Sequence, residues 1–125
     1  MTGNRLIAVI DDEEAVLASL DSFLRSYGYT VASYTAPGAF LASIKDIQPR
    51  LIITDYNMHP GMDGIELSTR VRQTFPAVPI FMISAYWDDK TIQMANDVGI
   101  STKLNKPWLP DELLSEIERV FGSTS

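Results

Sequence analysis

The sequence predicts an α/β fold, five βα units in series closing into one doubly wound parallel sheet. Short, continuous apolar runs alternate with longer segments of helical period along the whole chain. Runs without polar interruption suit strands buried on both faces, and their alternation with helices implies right-handed crossovers. At 125 residues the chain has room for one core and not for two.

The first strand is read from "RLIAVI" (5–10), after which Val16, Leu20, Phe23, Leu24 and Tyr27 form one helical stripe and Gly28 a left-handed stop. "TVASY" (30–34) alternates and suits a strand near the sheet edge; Phe40, Leu41, Ile44 and Ile47 follow as the second helix. "LIIT" (51–54) is the third strand. Asp63 and Glu66, at capping-box spacing, open a third helix carrying Leu67, Val71 and Phe75. "IFMIS" (80–84) is the fourth strand, and Ile92, Ala95 and Val98 precede a stop at Gly99. "STKLN" (101–105) is the weakest strand pattern and suits the other edge. Pro110 starts the last helix, whose stripe is Leu113, Ile117, Val120 and Phe121. The domain is read as 1–121, with 122–125 a flexible tail or the start of a linker.

Composition narrows the function. A net charge of −6 argues against direct nucleic-acid binding by this domain, because phosphate attraction needs clustered Lys and Arg. The absence of cysteine excludes disulfides and thiolate metal sites. Apolar runs are too short to span a bilayer, and "MTGNR" lacks a secretory apolar segment, so a cytoplasmic protein without a membrane partner is expected.

In such a sheet, ligands gather beyond the carboxyl ends of the strands. Those ends carry Asp11 and Asp12, Asp55, Ser84, then Asn105 and Lys106. Packed carboxylates repel one another and resist dehydration, so a positive charge belongs there. Hard oxygen ligands suit Mg²⁺. With Asp12 and Asp55 on the ion and Asp11 supporting from behind, Asp55 offers an oxygen as nucleophile to a phosphoryl donor. Lys106 then neutralises phosphoryl charge and Ser84 donates a hydrogen bond. Read alone, Asp11 and Asp12 serve equally well as a cap for the first helix, and Ser84 as an ordinary strand end.

Together "VIDDE", "ITDYNM", "PGMDGIEL", "MISAY" and "NKPW" resemble the receiver domain of two-component response regulators, in order, from about Arg5 to Phe121. The resemblance implies a flavodoxin-like sheet of order 2-1-3-4-5, an order the chemotaxis receiver exemplifies. It also implies Asp55 as phosphoacceptor, Lys106 as phosphate lysine, Ser84 as switch hydroxyl and the Asn57 backbone carbonyl as a further Mg²⁺ ligand. A cis Lys106–Pro107 bond is implied too. The implied donor is a sensor histidine kinase or phosphotransfer protein, and the domain catalyses only its own phosphorylation and dephosphorylation. The implied output is a further domain or partner at the face of the fourth helix, fifth strand and fifth helix, with Tyr86, Trp87, Lys103 and Trp108 as candidate contacts. The state is expected to be a monomer or a phosphorylation-dependent dimer.

Two departures from the family pattern stand out. "DYNMHPGMDG" has one extra residue, most simply His59, an expected exposed loop residue beside the acceptor. Lys103, expected to be exposed, stands where the family has Tyr or Phe, so coupling to the distal face is expected to be weak or to run through Tyr86 or Trp87. The competing readings are a Mg²⁺-dependent aspartyl-phosphate phosphohydrolase, a flavodoxin-like cofactor module, and a pseudo-receiver that binds partners without phosphorylation. The first lacks an Asp-x-Asp element and a cap insertion here; the second lacks a phosphate-binding loop after the first strand.

Overall fold

The computed structural model describes residues 5–58 and 61–122. The expectation for His59 and, beyond Gly122, that for the tail fall outside the described residues. The order is β1 (Leu6–Ile10), α1 (Glu14–Ser26), β2 (Thr30–Tyr34), α2 (Pro37–Ile47), β3 (Leu51–Asp55), α3 (Gly64–Thr74), β4 (Ile80–Ser84), α4 (Asp89–Asp97), β5 (Thr102–Asn105) and α5 (Pro110–Phe121). All strand pairs are parallel, in the order β2-β1-β3-β4-β5. The two strands with weaker apolar patterns are therefore the two edges.

Alternation along each strand divides the core into two layers. Ile7, Val9, Ile53, Phe81, Ile83 and Leu104 pack towards α1 and α5. Ala8, Ile10, Ile52, Ile80 and Met82 pack towards α2, α3 and α4. β3 and β4 are buried throughout, which is why their sequences are apolar without interruption. The chain leaves β1 for β2 on one side and returns to β3 on the other, so the carboxyl ends of β1 and β3 border a crevice where connections diverge. Ile10 lies opposite Thr54, which brings the residues that follow each to one rim.

Local signals explain most boundaries. The Asp63 carboxylate accepts the Glu66 N–H at 2.9 Å, half of the expected capping box, while Glu66 turns to Arg70 at 3.2 Å. Asp88 caps α4 through the Thr91 N–H at 2.8 Å, a cap absent from the sequence reading. Gly28 and Gly99 have φ of +88° and +78°, as their stop role requires. Two apolar expectations are corrected. Tyr27 is 47% exposed, and Leu17 is buried while Val16 is only half-buried, so the buried stripe of α1 is rotated slightly from the one predicted. Tyr27 still packs its ring on Phe23, with 5.2 Å between centroids. Lys103 is half-buried rather than exposed, because it stands on the sheet opposite Met82.

Arg72 is a clamp that sequence pattern does not announce. Its guanidinium donates to the carbonyls of Phe75, Val78, Val98 and Gly99, tying the end of α3 to the turn before β5. Among the described glycines, Gly64 has the closest surroundings. A Cβ there would stand 2.6 Å from the Asp55 carbonyl oxygen and 3.0 Å from the Tyr56 Cα, both backbone atoms that cannot move alone. Gly38 meets nothing within 4 Å. Gly64→Ala is accordingly expected to lower stability by about 2 kcal/mol. Gly38→Ala is expected to be neutral or to stabilise by about 0.5 kcal/mol. Urea denaturation of both variants measures the contrast, and equal effects would contradict the close approach.

Candidate functional site

Three backbone hydrogen bonds just beyond the strand ends deliver polar groups to the rim. The Asp11 N–H donates to the Tyr34 carbonyl at 3.1 Å, extending the β1–β2 ladder one residue and holding the side chain at the end of β1. The Tyr56 N–H donates to Ile83 O at 2.8 Å, which does the same for Asp55 at the end of β3. The Lys106 N–H donates to Ser84 O at 3.0 Å, just before the cis Lys106–Pro107 bond. Backbone pairing thus fixes each Cα, and the side chains need only reach a short way inward.

They meet around one ammonium. Lys106 Nζ lies 3.3 Å from Asp11 Oδ2, 3.1 Å from Asp55 Oδ2 and 2.6 Å from Glu13 Oε1. The Asp11 and Asp55 side chains are nearly inaccessible, at 2% and 4%, whereas Glu13 is 60% exposed. Asp11, Asp12 and Asp55 each place a carboxylate oxygen so that all three lie within 4.8 Å of one another. Neither Asp11 nor Asp12 is the N-cap residue of α1, which is Glu13, though Asp11 Oδ1 does accept the Glu13 N–H at 2.9 Å.

Electrostatics show what the cluster lacks. Loss of hydration, then the charge of Asp11, push the Asp55 carboxyl up to about 6, against the opposing pull of Lys106. Burial likewise raises Asp11 despite its hydrogen bond from the Glu13 N–H and the nearby ammonium. Burial works against the charged form of Lys106, yet hydrogen bonds to Glu13 and Asp55 and the charges of Asp55 and Asp11 push its pKa upward. One firmly protonated lysine therefore does not fully compensate the buried acids. Converging hard oxygen donors without sulfur or imidazole among the described residues fit a divalent cation of the Mg²⁺ type.

The remaining predicted residues divide. Ser84 is 4% exposed, and its hydroxyl donates to Tyr86 O at 3.0 Å and accepts the Tyr86 N–H at 3.2 Å. Tyr86 is 75% exposed. Trp87 lies half-buried along the β5 edge, its indole N–H donating to Leu104 O at 2.8 Å. Asn57 is exposed beside Asp55 and directs its backbone N–H at that carboxylate. Trp108 stands apart from the other aromatic candidates. It packs in the α1–α5 layer, 5.1 Å from Phe23 between ring centroids, on the opposite side of the sheet from Trp87. Glu13 received no role of its own from the sequence; its place beside the acid pair was the available signal.

A 2-1-3-4-5 sheet bearing an acid cluster and a lysine at its switch point defines a receiver-type signalling domain. The chain belongs to the response regulator receiver domain family, whose profile matches residues 7–118. It is a receiver domain of two-component response regulators, a family for which phosphorylation on aspartate is implied. Relatives include the transcriptional regulatory protein FixJ of Bradyrhizobium diazoefficiens, 33% identical over 118 residues that cover 94% of this chain and 57% of FixJ. The DNA-binding transcriptional regulator NtrC of Salmonella typhimurium is 28% identical over 117 residues, covering 94% of this chain and 25% of NtrC. The chain thus spans between a quarter and little over half of these relatives. Among solved structures, the chemotaxis protein CheY4 of Vibrio cholerae superposes with a TM-score of 0.89 at 28% identity, covering 94% of this chain and 99% of that one. A CheY-like receiver protein of Methanospirillum hungatei gives 0.88 at 26%, covering 94% and 93%. Among the described residues no helix is long and apolar enough to cross a membrane.

The raised Asp55 carboxyl sets a pH dependence. Between its usual 3.8 and about 6, the folded protein holds a proton that the unfolded chain has lost, so this group's contribution to stability falls as pH rises through that window. In chelator near neutral pH, Asp55→Asn is expected to be more stable than the wild type by about 2 kcal/mol. Near pH 4 the gain is expected to vanish. Urea denaturation at both pH values measures this, and a less stable Asp55→Asn at neutral pH would mean that pairing with Lys106 outweighs the lost hydration.

Proposed function

We propose that this domain accepts a phosphoryl group on Asp55 from a sensor histidine kinase or phosphotransfer protein, and that the modified rim switches a partner surface or output. The observation that carries the reading is the convergence of Asp55, Asp11, Asp12 and Lys106 at the switch point. Asp12 and Asp55, with the Asn57 backbone carbonyl, are the groups that hold Mg²⁺, and Asp11 supports them from behind. When bound, the ion supplies positive charge against the phosphoryl oxygens. An Asp55 carboxylate oxygen attacks phosphorus, the bond from phosphorus to the donor nitrogen breaks, and the electron pair stays on that nitrogen. Lys106 faces the transferred group from the β5 side. Dephosphorylation is water attack on the same phosphorus within the same residues, so the domain acts only on itself.

The switch runs through Ser84. To donate to a phosphoryl oxygen, its hydroxyl gives up the hydrogen bond it donates to Tyr86 O, which loosens the turn that the Tyr86 N–H also holds. Residues 85–87 then shift, and Trp87 is drawn away from Leu104 O. Trp87 in this way takes over the role left open by Lys103. The phosphate adds charge and strong acceptors, and the loop answers by exchanging one set of hydrogen bonds for another. We assign the receiver unit to 1–121, leaving 122–125 as a linker or tail, and place the protein in the cytoplasm with its kinase. Tyr86, Trp87 and Lys103 form the partner surface near α4 and β5. The domain acts as a monomer or as a phosphorylation-dependent dimer.

Two outcomes are expected. Intact mass after incubation with a small acyl phosphate and Mg²⁺ should rise by one phosphoryl group, and Asp55→Ala or chelator should abolish the gain. On phosphorylation the Trp87 indole N–H resonance should shift, and Ser84→Ala should suppress that shift. An unmoved Trp87 resonance on a phosphorylated domain would exclude this route.

A further inference from the structure

The ammonium of Lys106 has three N–H donors, and carboxylates occupy all three directions: Asp11, Asp55 and Glu13. An incoming phosphoryl group meets no uncommitted donor. For Lys106 to engage it, one existing partner has to be released. Asp11 stays a buried carboxylate throughout, and stripping its compensating cation is costly, while Asp55 is the group that the phosphoryl joins and remains inside the site. Glu13 is exposed, so water replaces the lysine at little cost. It is nonetheless the closest partner, at 2.6 Å.

Glu13 is also free of other duty. It is the N-cap residue of α1, but its side chain makes no cap hydrogen bond. Its backbone N–H is held by Asp11 Oδ1 at 2.9 Å, which fixes the Cα at the mouth of the site and lets the carboxylate arch over to Lys106. The contact joins the entrance of α1 to the connection after β5.

Resting on the phosphoacceptor reading above, we propose that Glu13 is a positioning residue that competes with the phosphoryl group for Lys106. In the unmodified protein it parks the ammonium at the mouth of the site, and it yields that ammonium as the phosphoryl group arrives. The strength of the Glu13–Lys106 pair lowers the affinity of the site for a phosphoryl group.

The test is calorimetric titration of beryllofluoride with Mg²⁺, a phosphoryl mimic, into the wild type, Glu13→Gln and Glu14→Gln. Glu14 is an exposed neighbour of equal charge that forms no ion pair with Lys106. Glu13→Gln is expected to bind roughly three- to fivefold more tightly, the scale of one exposed ion pair, and Glu14→Gln to match the wild type. Equal tightening in both variants would overturn the proposal in favour of long-range charge. Unchanged or weaker binding by Glu13→Gln would overturn it too, and a drop in melting temperature without a change in affinity would mark Glu13 as a structural brace. No binding by the wild type would overturn the phosphoacceptor reading and the competition with it.

Discussion

Buried carboxylates held against a single ammonium are the constraint around which this molecule is arranged. Asp11 and Asp55 sit at the ends of β1 and β3, where the sheet excludes water and like charges repel. Lys106 reaches them from beyond β5 at 3.3 and 3.1 Å. The sheet between exists in a form that keeps these ends level: parallel pairing sets Ile10 opposite Thr54 and Ser84 opposite Asn105.

The helices are held unequally, and that asymmetry suits a switch. α1 buries Leu17, Leu20 and Leu24, each worth on the order of 2 kcal/mol. α4 buries only Thr91 and Ala95, so far less apolar surface opposes its displacement. The connection that enters α4 carries Ser84, Tyr86 and Trp87, which is held at the sheet edge by one indole hydrogen bond. Ser84 itself is held there by hydrogen bonds to the Tyr86 backbone, and Trp87 adds partial packing against the α2–α4 layer. The far side is different: Trp108 and Phe23 pack into the α1–α5 layer.

Sequence reading succeeded where a physical requirement leaves a periodic trace. Strands buried on both faces must be apolar throughout, so β1, β3 and β4 were legible to within a residue. A left-handed turn favours glycine, which made Gly28 and Gly99 readable. Less was legible where the outcome depends on a three-dimensional neighbour. The capping of α4 by Asp88, the clamp of Arg72 on four carbonyls, and the tight approach of Gly64 to Asp55 O leave no period. Tyr27 matched the helical stripe and yet is exposed, because a period specifies an angle around the helix and not the depth at its end.

By itself the sequence determined the α/β class, the strands and helices, and which chemical groups reach the carboxyl rim. These follow from local propensity and from the match between apolar period and burial, which neighbouring residues settle among themselves. Only tertiary structure decided which groups share a bond. Glu13 takes the closest place on Lys106, Trp87 takes Leu104 O, and Trp108 turns to α1 rather than to the α4 side. Those choices depend on distances across strands far apart in sequence, and such distances exist only once the sheet has formed.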